Sequence, residues 1–369
     1  MIKNLFFLIF VFLFLNSKGQ GSAGFFNDQN FFYGYQNGQI AQLEYIKIDT
    51  FFSSPNYIAY IDNRGNFKLY TQNQVYTIFP VPPNSVKVSN YLMAYMQGGQ
   101  LGVFNGKSSK KVETFTNGVY HLGDSIIGYV DNFNFLKAYV YDTVFELMPW
   151  SGEPFTVSDN MMAFQYQNSQ FNVFYNKHVY ELENYLPKDY KIGRNILAYN
   201  NYMGYFKVFQ YGETFELESY DIHQYETGNE LVSYNNNIGE WIVFENGEKH
   251  TLMTTNPKKK WIKRNMIAYV DGADRFFVYK NGKTILLENF MPKKVEIWDD
   301  MVVYSDLYGT IYGYVNGKKT QLSSSIAIDW QLQNGCIVYL DQTPALKTVW
   351  NQFKEYKYNP NEDPIRIRK

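Results

Sequence analysis

Among 369 residues there is a single cysteine, Cys336, in the apolar run Cys336-Ile337-Val338-Tyr339. An internal disulfide is excluded, and the run reads as strand interior with the thiol as a small buried side chain. Histidine is almost as scarce, limited to His121, His178, His223 and His250. These four fall at different phases of the repeat described below, so they do not converge on one metal or one proton-transfer site. Paired cysteines at zinc spacing, two histidines one helical turn apart and a Gly-x-Ser-x-Gly elbow are all missing. The run Gly102 to Ser108 approaches a phosphate loop, but Leu101 stands where its first glycine belongs. Its Asn105-Gly106-Lys107 reads instead as a hairpin turn. An excess of one charge is lacking too: 34 Lys and Arg against 35 Asp and Glu leave a net charge of −1. No global field draws nucleic acid or an anionic membrane, so partners are recognised by shape. No catalytic residue, metal site or cofactor is expected, and nucleic acid is not an expected partner.

Long apolar runs are absent after the first few residues. Met1-Ile2-Lys3-Asn4 carries one positive charge and precedes the strongly apolar stretch Leu5 to Leu15. A helix of that length is far shorter than the roughly 30 Å hydrocarbon core of a bilayer, so it reads as a signal peptide rather than an anchor. Ser17 and Gly19 supply small residues before a cleavage that leaves Gln20 first, and no cysteine follows for a bacterial lipid anchor. The expected product is exported, periplasmic or outer-membrane associated or extracellular, with no membrane span after cleavage. The expected division is a signal peptide over 1–19, repeats over 20–358 and a polar tail over 359–369.

What the chain has in abundance is aromatic residues, 34 Tyr, 30 Phe and 6 Trp, and they recur in register. A three-residue pattern returns as Ile58-Ala59-Tyr60, Met93-Ala94-Tyr95, Ile127-Gly128-Tyr129, Met162-Ala163-Phe164 and Leu197-Ala198-Tyr199. It continues through Val232-Ser233-Tyr234, Ile267-Ala268-Tyr269, Val302-Val303-Tyr304 and Ile337-Val338-Tyr339. The aromatic recurs every 35 residues, with one spacing of 34, and one period upstream lies Gly24-Phe25. A second aromatic column includes Tyr35, Tyr70, Phe104 and Tyr139, and an aliphatic column includes Leu43, Ile78, Val112 and Leu147. Three columns in one rhythm define ten copies of one structural unit.

Each copy reads as short strands joined by tight turns. Asn37-Gly38, Asn246-Gly247, Asn281-Gly282 and Asn316-Gly317 accept the positive φ at both turn centres that a type I′ hairpin needs. Consecutive strands are therefore antiparallel, four to a copy. A meander this small buries neither face alone, so copies must pack face to face, and closing a ring protects the edges. The residue before the anchor aromatic is never larger than valine, as the crowding of neighbouring sheets near a ring axis requires.

In this repeat plan, rather than in any named motif, the chain resembles the β-propeller superfamily over nearly its whole mature length. The resemblance implies an all-β propeller of four-stranded antiparallel blades. The unbroken rhythm favours one large ring of ten, while two five-bladed rings divided near Asn195 satisfy the same spacing. The last copy loses its aliphatic column at Lys357 and is expected to supply at most three strands, with the segment after Gln20 completing its blade.

One polar column lies two residues after the anchor aromatic: Asn27, Asp62, Gln97, Asp131, Asn201, Asn236, Asp271, Asp306 and Asp341, interrupted by Tyr166. A shared phase sets these groups at equal height around one mouth of the ring, so Asp62, Asp131, Asn201, Asn236, Asp271, Asp306 and Asp341 are the candidate binding rim for a cation, a sugar or a basic peptide. The competing reading is that Asp and Asn end strands because their side chains satisfy turn backbone. The basic run Pro257 to Arg264 is the densest local charge and reads as a solvated or partner-facing strand edge.

The expected function is a non-catalytic interaction scaffold of the bacterial cell envelope, presenting loops to an envelope protein or an exported polypeptide. A narrower version is an accessory subunit of an outer-membrane secretion or translocon complex. A carbohydrate-binding or carbohydrate-cleaving propeller is the alternative.

Overall fold

A computed structural model describes residues 21–150, 152–166, 169–323, 326–327, 329–340, 347–351, 354–357 and 365–366. The expected signal peptide lies outside the described residues, and so does Asp341. Within them are ten four-stranded sheets. Nine are four consecutive antiparallel strands, as in Phe51–Ser54, Tyr57–Ile61, Phe67–Thr71 and Gln74–Phe79.

The ring follows from where the apolar side chains go. The described core divides into ten clusters, and each joins one sheet to the next. An open stack of ten sheets has only nine interfaces. The tenth cluster joins Ala23, Phe25, Tyr33 and Tyr35 of the first sheet to Cys336 and Val338 of the last, so the circle is closed. Another cluster joins Ala163 and Val173 to Leu197 and Phe209 across Asn195, where two smaller rings would have divided. The arrangement is a single ring.

Within a sheet, the first strand of each copy packs against the first strand of its neighbours, which makes it the innermost. The anchor pattern occupies the second strand and is fully buried, as at Ile58, Ala59 and Tyr60. Its small residue is needed by the approach of the next sheet. A Cβ on Gly128 would lie 2.5 Å from Met162 Sδ and 2.8 Å from Val157 Cγ2, and one on Gly24 would lie 2.7 Å from a Phe51 ring carbon. The small column thus serves contact between sheets rather than crowding at the axis. The Asn-Gly hairpins join the third strand to the outer one with the expected positive φ at both residues, 52° and 80° at Asn37-Gly38.

Closure differs from the sequence expectation. The last copy provides four strands of its own, Asp329–Gln333, Cys336–Leu340, Lys347–Asn351 and Lys354–Lys357. The incomplete copy is the first, with Ser22–Phe26, Phe32–Gln36 and Gln39–Glu44; its fourth strand is Ile365–Arg366, running parallel along its outer edge. Part of the polar tail is therefore sheet. On the inner edge of the first sheet a side chain does a strand's work: Gln333 Oε1 accepts from Gly24 N at 3.1 Å and Gln333 Nε2 donates to Gly24 O at 3.1 Å. Asn334 Nδ2 adds a bond to Ser22 O at 3.3 Å, and the Tyr356 ring packs at a tilt against Tyr35 with centroids 5.0 Å apart.

Candidate functional site

Antiparallel strands give the ring two chemically different faces. One carries the turns between second and third strands together with the links to the next sheet; the other carries the hairpins between first and second and between third and outer strands.

The predicted rim residues among the described ones sit on the first of these faces, and Asp341 lies outside the described residues. In each described case the side-chain oxygen caps the turn that follows. Asp62 Oδ1 accepts from Arg64 N and Asn66 N, both at 2.9 Å. Asp131 does the same for Phe133 N and Phe135 N, Asp271 for Ala273 N and Arg275 N, and Asp306 for Tyr308 N and Thr310 N. Asn236 caps Ile238 N and Glu240 N, Asn201 caps Tyr205 N, and Asn27 caps Gln29 N and Phe31 N. The fourth residue of every such turn has positive φ: Asn30, Gly65, Asn134, Gly204, Gly239, Asp274 and Gly309. This Asp/Asn-x-x-Gly/Asn/Asp spacing was available in the sequence and identifies a turn with a mechanism.

The second oxygens of Asp62, Asp131 and Asp271 are engaged as well. Asp62 Oδ2 meets Lys68 Nζ at 2.7 Å and Asn66 Nδ2 at 2.8 Å, Asp131 Oδ2 meets Lys137 at 2.7 Å, and Asp271 Oδ2 meets Arg275 at 2.7 Å. Burial by itself would raise the Asp62 carboxyl; the bonds from Asn66 and Lys68 outweigh it and hold it well below the ordinary carboxylate range. The column also misses the central mouth, because the anchor strand is second from the axis and its turns lie partway out along each blade.

Behind the caps runs an acid column that sequence reading overlooked. Glu44, at the end of one outer strand, accepts from Tyr60 Oη at 3.2 Å and Lys68 Nζ at 2.6 Å of the next sheet. The same sixteen-residue link joins Glu113 to Tyr129, Glu183 to Tyr199, Glu218 to Tyr234 and Glu288 to Tyr304. Burial first, then the adjacent carboxylates, push these tyrosine hydroxyls well above their ordinary range. The anchor aromatics thus lock neighbouring blades together.

Held by these caps, the turn tips point apolar side chains outward: Phe133 is 76% exposed, Met203 75%, Ile238 73% and Tyr308 80%. Tyr202 and Leu307 are exposed beside them, and the links between sheets add Tyr45, Ile46, Phe115 and Tyr185. Most of the exposed large hydrophobics among the described residues lie on this face. The basic run is less available, since Lys258 pairs with Asp274 at 2.8 Å, Lys260 with Glu226 at 3.2 Å, and Arg264 with Asp299 at 3.0 Å while stacking on Trp298.

The opposite face holds a pocket of about 440 Å³ over four consecutive sheets. Tyr91, Asp124, Tyr141, Asp159, Asn160 and Arg194 contribute to its lining. Among the described residues no group of three or more His, Cys, Asp or Glu is placed to hold a metal ion.

A family model described as "10-bladed beta propeller domain" matches residues 16–356, nearly the whole ring. The chain belongs to that family. The propeller is also similar to solved structures at low identity. The crystal structure of the computationally designed Ika8 protein shares 14% identity at TM-score 0.33, covering 72% of this chain and 95% of that one. Kluyveromyces lactis Hsv2 shares 12% at 0.30, covering 67% and 98%, and the tricorn protease 11% at 0.28, covering 91% and 43%. At these values the likenesses carry no argument about activity or partners. No curated protein matches the propeller.

Proposed function

We propose that this propeller is a non-catalytic protein–protein interaction scaffold of the bacterial cell envelope, docking another envelope protein or an exported polypeptide on its capped-turn face. The observation that carries the reading is the series of exposed apolar tips, Phe133, Tyr202, Met203, Ile238, Leu307 and Tyr308, on turns already fixed by side-chain caps. Grouped exposed apolar side chains mark interaction surfaces, and a preorganised loop loses little entropy when it binds. The envelope address rests on the signal-like N-terminus, and an accessory role in an outer-membrane secretion or translocon complex is the narrower form. The carbohydrate alternative draws no support from the capping column, whose described carboxylates are engaged by their own turns.

The test is a tagged pull-down from native membranes with mass spectrometry, repeated with Phe133→Ser, Met203→Ser and Tyr308→Ser combined. The wild-type protein should retain a protein partner that also binds it when both are purified. The triple variant should bind that partner at least about tenfold more weakly with an unchanged melting temperature, since a tenfold change is about 1.4 kcal/mol. A purified pair indifferent to these substitutions, or no stable partner in a gentle extraction, refutes the reading.

A further inference from the structure

We propose that the pocket on the hairpin face binds a neutral, hydroxyl-rich ligand of one to three sugar rings, bonded between Asp159 and Arg194 and stacked on Tyr91 and Tyr141. The inference concerns the face opposite the proposed docking surface and does not rest on it. It also separates carbohydrate recognition from the Asp/Asn column.

The walls come from consecutive blades. Tyr91 belongs to the turn after the inner strand of the third sheet, Tyr141 to the outer hairpin of the fourth, and Asp159 and Arg194 to the inner turns of the fifth and sixth. The volume, about 440 Å³, lies within the usual range for small-ligand sites. Most polar groups around it are committed to the scaffold. Asp124 takes two bonds from Asn90 Nδ2, at 2.9 and 2.7 Å, and Asp142 takes Lys110 Nζ and Tyr139 Oη. Asn160 and Asn195 are bonded to each other twice, at 2.6 and 3.0 Å, and Asn195 to Glu230 at 2.7 Å.

Two charged groups stand apart from this network. Among the described residues the Arg194 guanidinium has no hydrogen bond or ion pair, and the Asp159 carboxylate has none beyond its own amide. Burial, and then the Asp124 carboxylate, push the Asp159 carboxyl above its ordinary range, with Arg264 and Arg194 opposing them from a distance. An acceptor and a donor on adjacent blades suit vicinal hydroxyls, each of which donates and accepts.

Backbone strain points to the same place. The equivalent hairpin is Asn-Gly in four other copies, the pair that tolerates two positive φ values. Here it is Tyr141-Asp142, at φ 46° and 64°, with Tyr141 74% exposed. Left-handed backbone disfavours a bulky residue, and strain of this kind gathers at ligand sites; Tyr211 of the sixth sheet shares the conformation at φ 54°, but only Tyr141 lines the pocket. Its exposed ring gives the apolar face of a sugar a platform that an Asn in its place would not.

The experiment is saturation-transfer NMR and calorimetry on the full ring with maltotriose, chitotriose and mannotriose, against lysine and diglycine as charged controls. At least one trisaccharide should bind, and Tyr141→Asn and Arg194→Met should each weaken it at least tenfold. Tyr141→Asn should not lower the melting temperature, because it restores the favoured turn residue, so lost binding is not lost folding. Tyr308→Ala, on the other face, should bind as the wild type does. Binding of none of the three sugars, binding untouched by both pocket variants, or binding of the charged controls in their place overturns the proposal; none of these outcomes bears on protein capture by the capped face.

Discussion

Lys68 sits between two carboxylates, 2.6 Å from Glu44 of the preceding sheet and 2.7 Å from Asp62 of its own, and all three are buried. Removing the cation leaves two buried charges without a counterion. Lys68→Met should therefore cost about 3–5 kcal/mol in urea unfolding, far more than an exposed pair such as Lys110 and Asp142. The acid side of this cluster sets a pH dependence. The folded Asp62 carboxyl titrates below the unfolded value of about 3.9, so its stabilisation is present above that value and fades as pH falls through the folded one. Stability measured at pH 5 and pH 3 should fall more steeply in the wild type than in Asp62→Asn. Single residues were only partly legible beforehand. The Asp/Asn column and its turn-capping role are visible in the sequence, whereas the cations that meet its second oxygens, such as Lys68 and Lys137, are set by strand pairing that no local pattern reveals. The Glu column at the ends of outer strands keeps the same 35-residue rhythm and is interrupted by Phe79, Met148, Met253 and Ser323, which hides a charged column in a mostly apolar phase.

The antiparallel strand and the tight hairpin were the most legible level, because period-two alternation and Asn-Gly turns act locally. Which strand faces the axis was not, since that depends on how whole sheets stack. The turns after the inner strands show how closely they do so. A Cβ on Gly193 would collide with the carbonyl of Gly228 in the next turn, and one on Gly228 with the carbonyl of Arg264. A backbone carbonyl held in a tight turn cannot swing aside as a side chain can. Gly193→Ala should destabilise by roughly 1–3 kcal/mol in denaturant titration, as overpacking does, whereas Gly272→Ala, with open space around it, should stay within about 0.5 kcal/mol.

For the whole molecule, the number of copies was readable from the period and the closure was not, because it depends on residues some three hundred positions apart. Gln333 and Asn334 hold the inner edge of the first sheet. Gln333→Ala leaves the Gly24 amide and carbonyl without these partners, at a cost of about 1–3 kcal/mol. Hydrogen exchange should locate the damage: amides in Ser22–Phe26 and Cys336–Leu340 should lose protection while those in Met161–Tyr166, across the ring, keep theirs. The capped turns have a consequence of another kind. Since the first residue holds the loop and the fourth accepts its left-handed bend, the two positions between them owe nothing to the fold. A propeller built this way can exchange what stands at Tyr202 and Met203, or at Leu307 and Tyr308, one loop at a time, so that a lineage could acquire new binding habits while the wheel that carries them stays unaltered.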